Sequence, residues 1–288
     1  MKNPRPICPN SSCVNHQAPP ASFYRKKGYR RAKHSKQLIP RYQCKACGKY
    51  FCATQTKAIK NQHKPDLNKR VFKLAVSGVT MNRMAKLLEC SPTTIARKVD
   101  HLAHWARKHH QEHIKSIATS HVMVDELETF LHSRYKQLSV VVAIRPKTGE
   151  VLGFAVARKP SNQEMGHKKY GWHVDERPQK FKQVISDIAP LLMPKATIAT
   201  DSHTSYAKWL GQALNQPYVH SKNKTPIGPG YDPLFAVNVA FAKMRNDLAR
   251  LARKTWTTTK TIKALENHLW LWVAWTNGFQ RKRLLLKH

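Results

Sequence analysis

Ala196–Tyr206 reads ATIATDSHTSY: an apolar, β-branched run that stops at Asp201 and gives way to hydroxylated residues and a helical pattern. A run of this length is a buried strand. An aspartate at its carboxyl edge sits where α/β sheets present their chemistry. A second copy lies upstream in His121–Phe130, HVMVDELETF, where Val122, Met123 and Val124 lead into Asp125. Either aspartate alone reads as a turn residue or an N-cap. Together, in the basic chain described next, two carboxylates brought by two strand edges are what a pair of hard cations needs.

The chain has 288 residues, enough for two or three folded units, and carries 51 Lys and Arg against 16 Asp and Glu, a formal charge of +35. The cations are spread along the whole sequence, which points to a long polyanion touched by several parts of the molecule. A basic membrane-surface protein would carry an amphipathic anchor or a lipidation signal, and neither is evident. No apolar run approaches the length of a membrane span, and the opening MKNPRPICPN has no signal-peptide core. The expectation is a cytoplasmic protein whose cysteines are reduced or metal-bound.

Residues 1–56 contain Cys8-x4-Cys13 and Cys44-x2-Cys47, separated by a 30-residue insert. Two such knuckles supply four thiolates to a tetrahedral Zn²⁺, which predicts a zinc ribbon; buried reduced cysteines are the alternative. Cys52 and Cys90 fall outside the pattern and read as small apolar residues. The insert mixes Tyr24, Arg25, Lys26, Lys27, Tyr29, Arg30 and Arg31, which suits phosphate contact or a solvated loop.

Residues 57–118 open on a basic linker, Lys57–Asp66, and continue as three helices. The first, Asn68–Ser77, ends at Gly78. The second, Thr80–Cys90, starts at a hydroxyl cap. Ser91-Pro92 opens the third, which runs through Ile95, Val99, Leu102 and Trp105 and on as a bridge over Arg107–Ile117. A tight turn before a helix exposing Thr93, Thr94, Arg97 and Lys98 is a helix-turn-helix pattern, with those four residues the candidates for contact with DNA.

Residues 119–280 read as one α/β domain, followed by a basic tail, 281–288. A first strand ending near Asp125, then Leu138–Ile144 and Val151–Ala157, form an antiparallel meander turning at Pro146–Gly149. Ser161–Gln179 reads as a polar loop and Phe181–Leu192 as a helix. The Asp201 strand, a helix over Ser205–Leu214 and a short strand at Pro217–His220 follow. Lys222–Asp232, rich in Gly and Pro, reads as mobile. Phe235–Lys254 is an amphipathic helix with Val237, Phe241, Met244, Leu248 and Leu251 on one stripe. Thr261–Asn277 is a last helix whose Trp270, Trp272 and Trp275 read as core or a subunit interface.

Three strands, a helix and a returning strand, with acids on the first and fourth strands, match the ribonuclease-H-like order. That fold makes the acid-bearing strands neighbours. A third ligand then comes from a later helix. Asn238 stands 36 intervening positions after Asp201, in the first turn of the amphipathic helix, and Arg245 lies two turns along as a candidate phosphate contact.

The markers CPNSSC with RYQCKACGKYF, VDELE, TDSHTSY and a basic helix ending RLARKT, in this order, resemble the bacterial insertion-sequence transposases. Those enzymes carry a zinc ribbon, a helix-turn-helix and a DDE-type catalytic domain, and the resemblance covers essentially the whole chain. It implies catalytic roles for Asp125 and Asp201, with Asn238 at the third position. Most of the family has glutamate there; one related group is similar to this chain in having asparagine followed by a basic residue. An asparagine carbonyl can coordinate Mg²⁺ but is neutral, so Glu126 and Asp232 are the back-up acids. The resemblance further implies structural Zn²⁺, catalytic Mg²⁺ or Mn²⁺, and double-stranded DNA as partner, both terminal repeats and target. It also implies a homodimer or higher assembly on paired ends and a nucleoid-associated location. Two other readings remain: a decayed copy acting as a DNA-binding protein, and a structure-specific nuclease on the same fold.

Overall fold

The computed structural model describes residues 7–31, 38–52, 62–224, 230–252 and 257–278. Much of the basic linker, residues 225–229 of the Gly- and Pro-rich segment and the whole of the basic tail lie outside them. The chain divides into two compact units, the first reaching Asn68 and the second starting at Lys69.

The first unit is a three-stranded antiparallel sheet of β1 (Tyr24–Arg31), β2 (Leu38–Cys44) and β3 (Tyr50–Cys52), in that order. Its core is small: Cys8, Phe23, Cys44 and Phe51, with Tyr24 and Tyr42 packed against them. Phe23 stacks on Phe51 with ring centroids 5.8 Å apart, and Tyr24 meets Tyr42 edge-on at 4.7 Å. Among the described residues of the insert, the aromatics and cations from Tyr24 to Arg31 therefore lie on a strand and not in a loop. β1 beyond Tyr24 exposes every one of its side chains.

The division falls within the first turn of α1 (Leu67–Ala75); the second unit takes the rest of that helix and continues with α2 (Met81–Leu87) and α3 (Pro92–Ile114). The cap residues act as expected: Thr80 accepts the Arg83 N–H and Ser91 accepts the Thr94 N–H. α3 runs unbroken to Ile114, the predicted bridge. Asp100 on α3 meets Lys263 at 3.0 Å and Asn267 at 3.1 Å, both on α8 (Ile262–Thr276).

A five-stranded sheet follows, built from β4 (Thr119–Leu131), β5 (Ser133–Arg145), β6 (Glu150–Arg158), β7 (Leu192–Asp201) and β8 (Tyr218–Asn223), in the order β6-β5-β4-β7-β8. The first three strands are an antiparallel meander, and β7 and β8 run parallel to β4. β4 alternates as a doubly covered strand must. Val122 and Val124 face α5 (Arg177–Ile188) and α6 (Ser205–Ala213), where Phe181, Ile185 and Trp209 are buried. Met123 and Leu127 face α7 (Phe235–Asp247) and α8, against Val237, Phe241, Met244 and Trp272. The unit is a three-layer α/β/α sandwich. Trp272 is fully buried, Trp270 packs on Phe154 and Trp275 on Phe72, so the tryptophans of α8 belong to the core. Among the described residues no helix is long and apolar enough to cross a membrane.

Three expected boundaries are corrected. β4 does not end near Asp125; its pairing with β5 continues through Thr129↔Leu138 and beyond, which holds it extended to Leu131. The segment 161–179 is not a loop throughout: α4 (Glu164–Tyr170) packs there, and α5 starts at Arg177-Pro178, with proline in its first turn. The amphipathic helix α7 stops at Asp247. Leu248 is extended, a single 3-10 turn Ala249–Leu251 follows, and the Asp247 carboxylate accepts the Trp272 indole N–H at 3.0 Å.

Candidate functional site

The first candidate centre is the cysteine cluster. Among the described residues, Cys8, Cys13, Cys44 and Cys47 alone form a group of three or more metal-ligating side chains whose ligand atoms all lie within 4.8 Å of one another. The Sγ atoms of Cys8 and Cys47 are 3.5 Å apart, and those of Cys13 and Cys44 are 3.8 Å apart. Both are far too long for disulfides. They match sulfurs around one tetrahedral ion at a metal–sulfur distance of about 2.3 Å. The second knuckle forms because Gly48 takes φ +70°, a conformation that a side chain disfavours, and returns its N–H to the Cys44 carbonyl at 3.0 Å.

Thiolate character is unevenly spread. At Cys44 burial alone would raise the thiol, but the N–H groups of Cys47 and Ala46 and the Asn15 amide outweigh it and bring it down to about 6. The Lys49 N–H lowers Cys47. Burial pushes Cys8 up to about 12, the signature of a thiol that needs a cation to ionise. Asn15, whose Nδ2 lies 3.4 Å from the Cys44 sulfur, went unnoticed in the sequence; an amide two residues after a knuckle cysteine was the available signal. The four residues fit a metal ion such as zinc.

The second centre lies on the sheet. β4 and β7 are paired in parallel through Met123↔Ala199, and Asp125 and Asp201 stand two residues beyond that pair on the two strands. Met123 and Ala199 both pack in the α7 cluster, so strand alternation turns both aspartates to the α7 side. Burial drives the Asp125 carboxyl up to about 7; the Glu126 N–H, 2.7 Å from its Oδ1, offsets part of this, and the charges of Asp201, Glu126 and Asp232 push the same way as burial. The Asp201 Oδ1 accepts the His203 N–H at 2.9 Å.

Asn238 is exposed in the first turn of α7, and its Nδ2 donates to the Asp232 Oδ2 at 2.8 Å. The other Asp232 oxygen accepts the Leu234 N–H at 2.8 Å. Asp232 is thus not a freely solvated loop acid, and its charge reaches Asp125. Sequence spacing could not reveal this pair. Glu126 is turned away, as alternation requires. Its oxygens accept the hydroxyls of Ser139 at 2.5 Å and Tyr206 at 3.0 Å, on the α6 side. Burial raises the Tyr206 hydroxyl, and the charges of Glu126, Asp201 and Asp125 add to this. No three of the described acids bring oxygens as close together as the cysteine sulfurs.

On α3, Thr93 and Arg97 are exposed, while Thr94 is half-buried with its hydroxyl 3.0 Å from Ser91 Oγ. Lys98 is a correction. It is only 5% exposed, because it falls on the stripe of Ile95, Val99 and Leu102 that α3 buries. Arg245 is half-buried in the last turn of α7. Neither a scan of protein-family models nor a search of curated proteins finds a match to the chain.

Proposed function

We propose that the protein is a DNA transposase of a bacterial insertion sequence, cutting and joining element ends by two-metal phosphoryl transfer. One observation carries this reading: Asp125 and Asp201 reach one face of adjacent parallel strands, with the Asp232–Asn238 pair at the start of α7 beside them. The order β6-β5-β4-β7-β8, a meander followed by two parallel strands, supports a ribonuclease-H-like catalytic domain.

Mg²⁺ or Mn²⁺, when bound, supplies the Lewis acid that activates the attacking hydroxyl and takes charge from the leaving oxygen. Asp125 and Asp201 offer the hard oxygens that hold such cations. Asp125, whose carboxyl is raised by burial and by the charges of Asp201, Glu126 and Asp232, would be ionised when it holds such a cation. Asn238 is neutral, and Asp232, tied to its amide, brings to that place the negative charge that asparagine lacks. Zinc in the cysteine cluster holds the first unit's small core together. Thr93 and Arg97 on α3, and the cation-rich β1, contact duplex DNA, and pairing two ends calls for a dimer or higher assembly.

The neutral Asn238 is the observation that favours the second reading, a DNA-binding relic. Incubation with the DNA flanking its own reading frame, a target plasmid and Mn²⁺ separates the two. Joined products from the wild-type chain, lost in Asp201→Ala and Asn238→Ala, support a transposase using the third position. Tight binding without joined or cleaved products across the candidate ends supports the relic.

A further inference from the structure

Among the exposed side chains of the second unit, Trp172 stands out. It is 79% exposed, yet its ring is stacked on His167 with centroids 3.9 Å apart and planes within 21°. An indole in water that is also held in one orientation is built to receive something flat. The platform beneath it is fixed by close packing. A Cβ on Gly166 of α4 would meet Ser161 Oγ at 2.3 Å and Tyr135 Cβ at 3.2 Å, so α4 is seated directly on the residues around β5.

Cations gather on Tyr170, two residues before Trp172 in the chain. Lys136 Nζ lies 4.3 Å from the Tyr170 ring centroid and Lys169 Nζ 5.6 Å from it. The acids on this side are paired: Glu164 with Lys168, Glu128 with Lys159, Asp175 with Arg177 and Glu176 with Arg158. Next to Trp172, His173 lines a cavity of about 300 Å³ whose other walls are Leu131, Gln137, Leu138, Lys136 and Arg158. An apolar floor with cations on its walls suits a base and its phosphate. Leu131 lies on β4 itself, six residues beyond Asp125, or about 20 Å along an extended strand.

We propose that Trp172 forms a stacking site for an unpaired nucleobase of a DNA strand, with Lys136, on the wall of the cavity that His173 lines, facing its phosphate. Stacking on an aromatic face is tolerant of sequence, because every base has a π-face, and the surrounding cations hold the backbone. The site rests on the reading of the chain as a DNA-processing protein. It adds to that reading a place for a strand that has left the duplex near the acids.

The test uses the full zinc-loaded chain and two DNAs: a blunt duplex, and the same duplex with a 3′ overhang carrying 2-aminopurine at its first unpaired position. The wild-type chain and Trp172→Phe should quench the 2-aminopurine and bind the overhang DNA about tenfold more tightly than the duplex. Trp172→Ala should lose both effects while binding the duplex as before, and Lys136→Gln should reduce the overhang preference. An overhang preference and quenching that persist in Trp172→Ala overturn the platform and leave the DNA reading standing. Failure of the wild-type chain to bind either DNA overturns both.

Discussion

Asp125 is the residue on which the chemistry and the stability of the fold meet. Its carboxyl, at about 7 in the folded chain, ionises near 3.8 when exposed. Between these values the unfolded chain releases a proton that the folded chain keeps. The Asp125 contribution to folding stability therefore falls as pH rises from about 4 to about 7, then levels, while buried His268, lowered to about 3, contributes the opposite slope. Without added divalent cation, Asp125→Asn should remove the Asp125 slope and melt above the wild-type chain at pH 8 by about 2 kcal/mol, roughly 5 °C. Thermal melts of both chains between pH 5 and 8 read this directly, and a stability difference between them that does not change with pH contradicts it. The same crowding appears at Glu126, whose carboxylate is held by Ser139 and Tyr206. Tyr206→Phe should destabilise by about 1–2 kcal/mol, measured by urea unfolding, because a partly buried carboxylate loses one of its two hydroxyl donors. Asp125 and Asp201 could be found in the sequence because each ends an apolar run. The Asp232–Asn238 hydrogen bond could not, since it depends on how the chain entering α7 turns.

At the scale of elements, caps and spacing were readable and pairing was not. Thr80, Ser91 and Thr261 each stand where a hydroxyl satisfies a helix N-terminus, and each does so. The end of β4 was misjudged because a strand ends where its partner stops, and β5 begins two residues after Leu131, so that polar Glu126 and Glu128 are held extended in one long hairpin. α4 was missed because a short polar helix has too little apolar surface to show a period; Gly166 and its tight seat on Ser161 define it instead. Lys98 was misplaced by its charge, although its spacing from Ile95 and Leu102 puts it on the buried stripe. This separates two variants. Arg97→Ala should weaken DNA binding and reduce the slope of log affinity against log salt by about one. Lys98→Ala should leave that slope unchanged and lower the melting temperature instead, through lost packing of its stem. A reduced salt slope in Lys98→Ala would return it to the DNA face. In the first unit, Cys44→Ser with Cys47→Ser should take bound zinc from about one ion per chain to none and leave residues 7–52 open to trypsin. Zinc retained by that double variant contradicts the cysteine cluster as the metal site.

For the whole molecule, a formal charge of +35 makes the protein a polycation, and the proposed nucleic-acid partner would neutralise it. The α/β layering was readable because β4, β5 and β7 are apolar on both faces, as strands covered by helices on both sides must be. The seating of α3 on α8 through Asp100, Lys263 and Asn267 was not, because it joins residues far apart in the chain. The central claim is that Asp125 and Asp201 together cut DNA with a divalent cation. It is tested most directly by single-turnover cleavage of end-labelled DNA from the element's own termini, with Mg²⁺ or Mn²⁺, by the wild-type chain and by Asp125→Ala and Asp201→Ala. The account predicts cation-dependent nicking at the element end that falls at least about a thousandfold in both variants while their DNA binding is kept. Cleavage that survives in either variant, or a wild-type chain that binds those ends without cutting them, contradicts it.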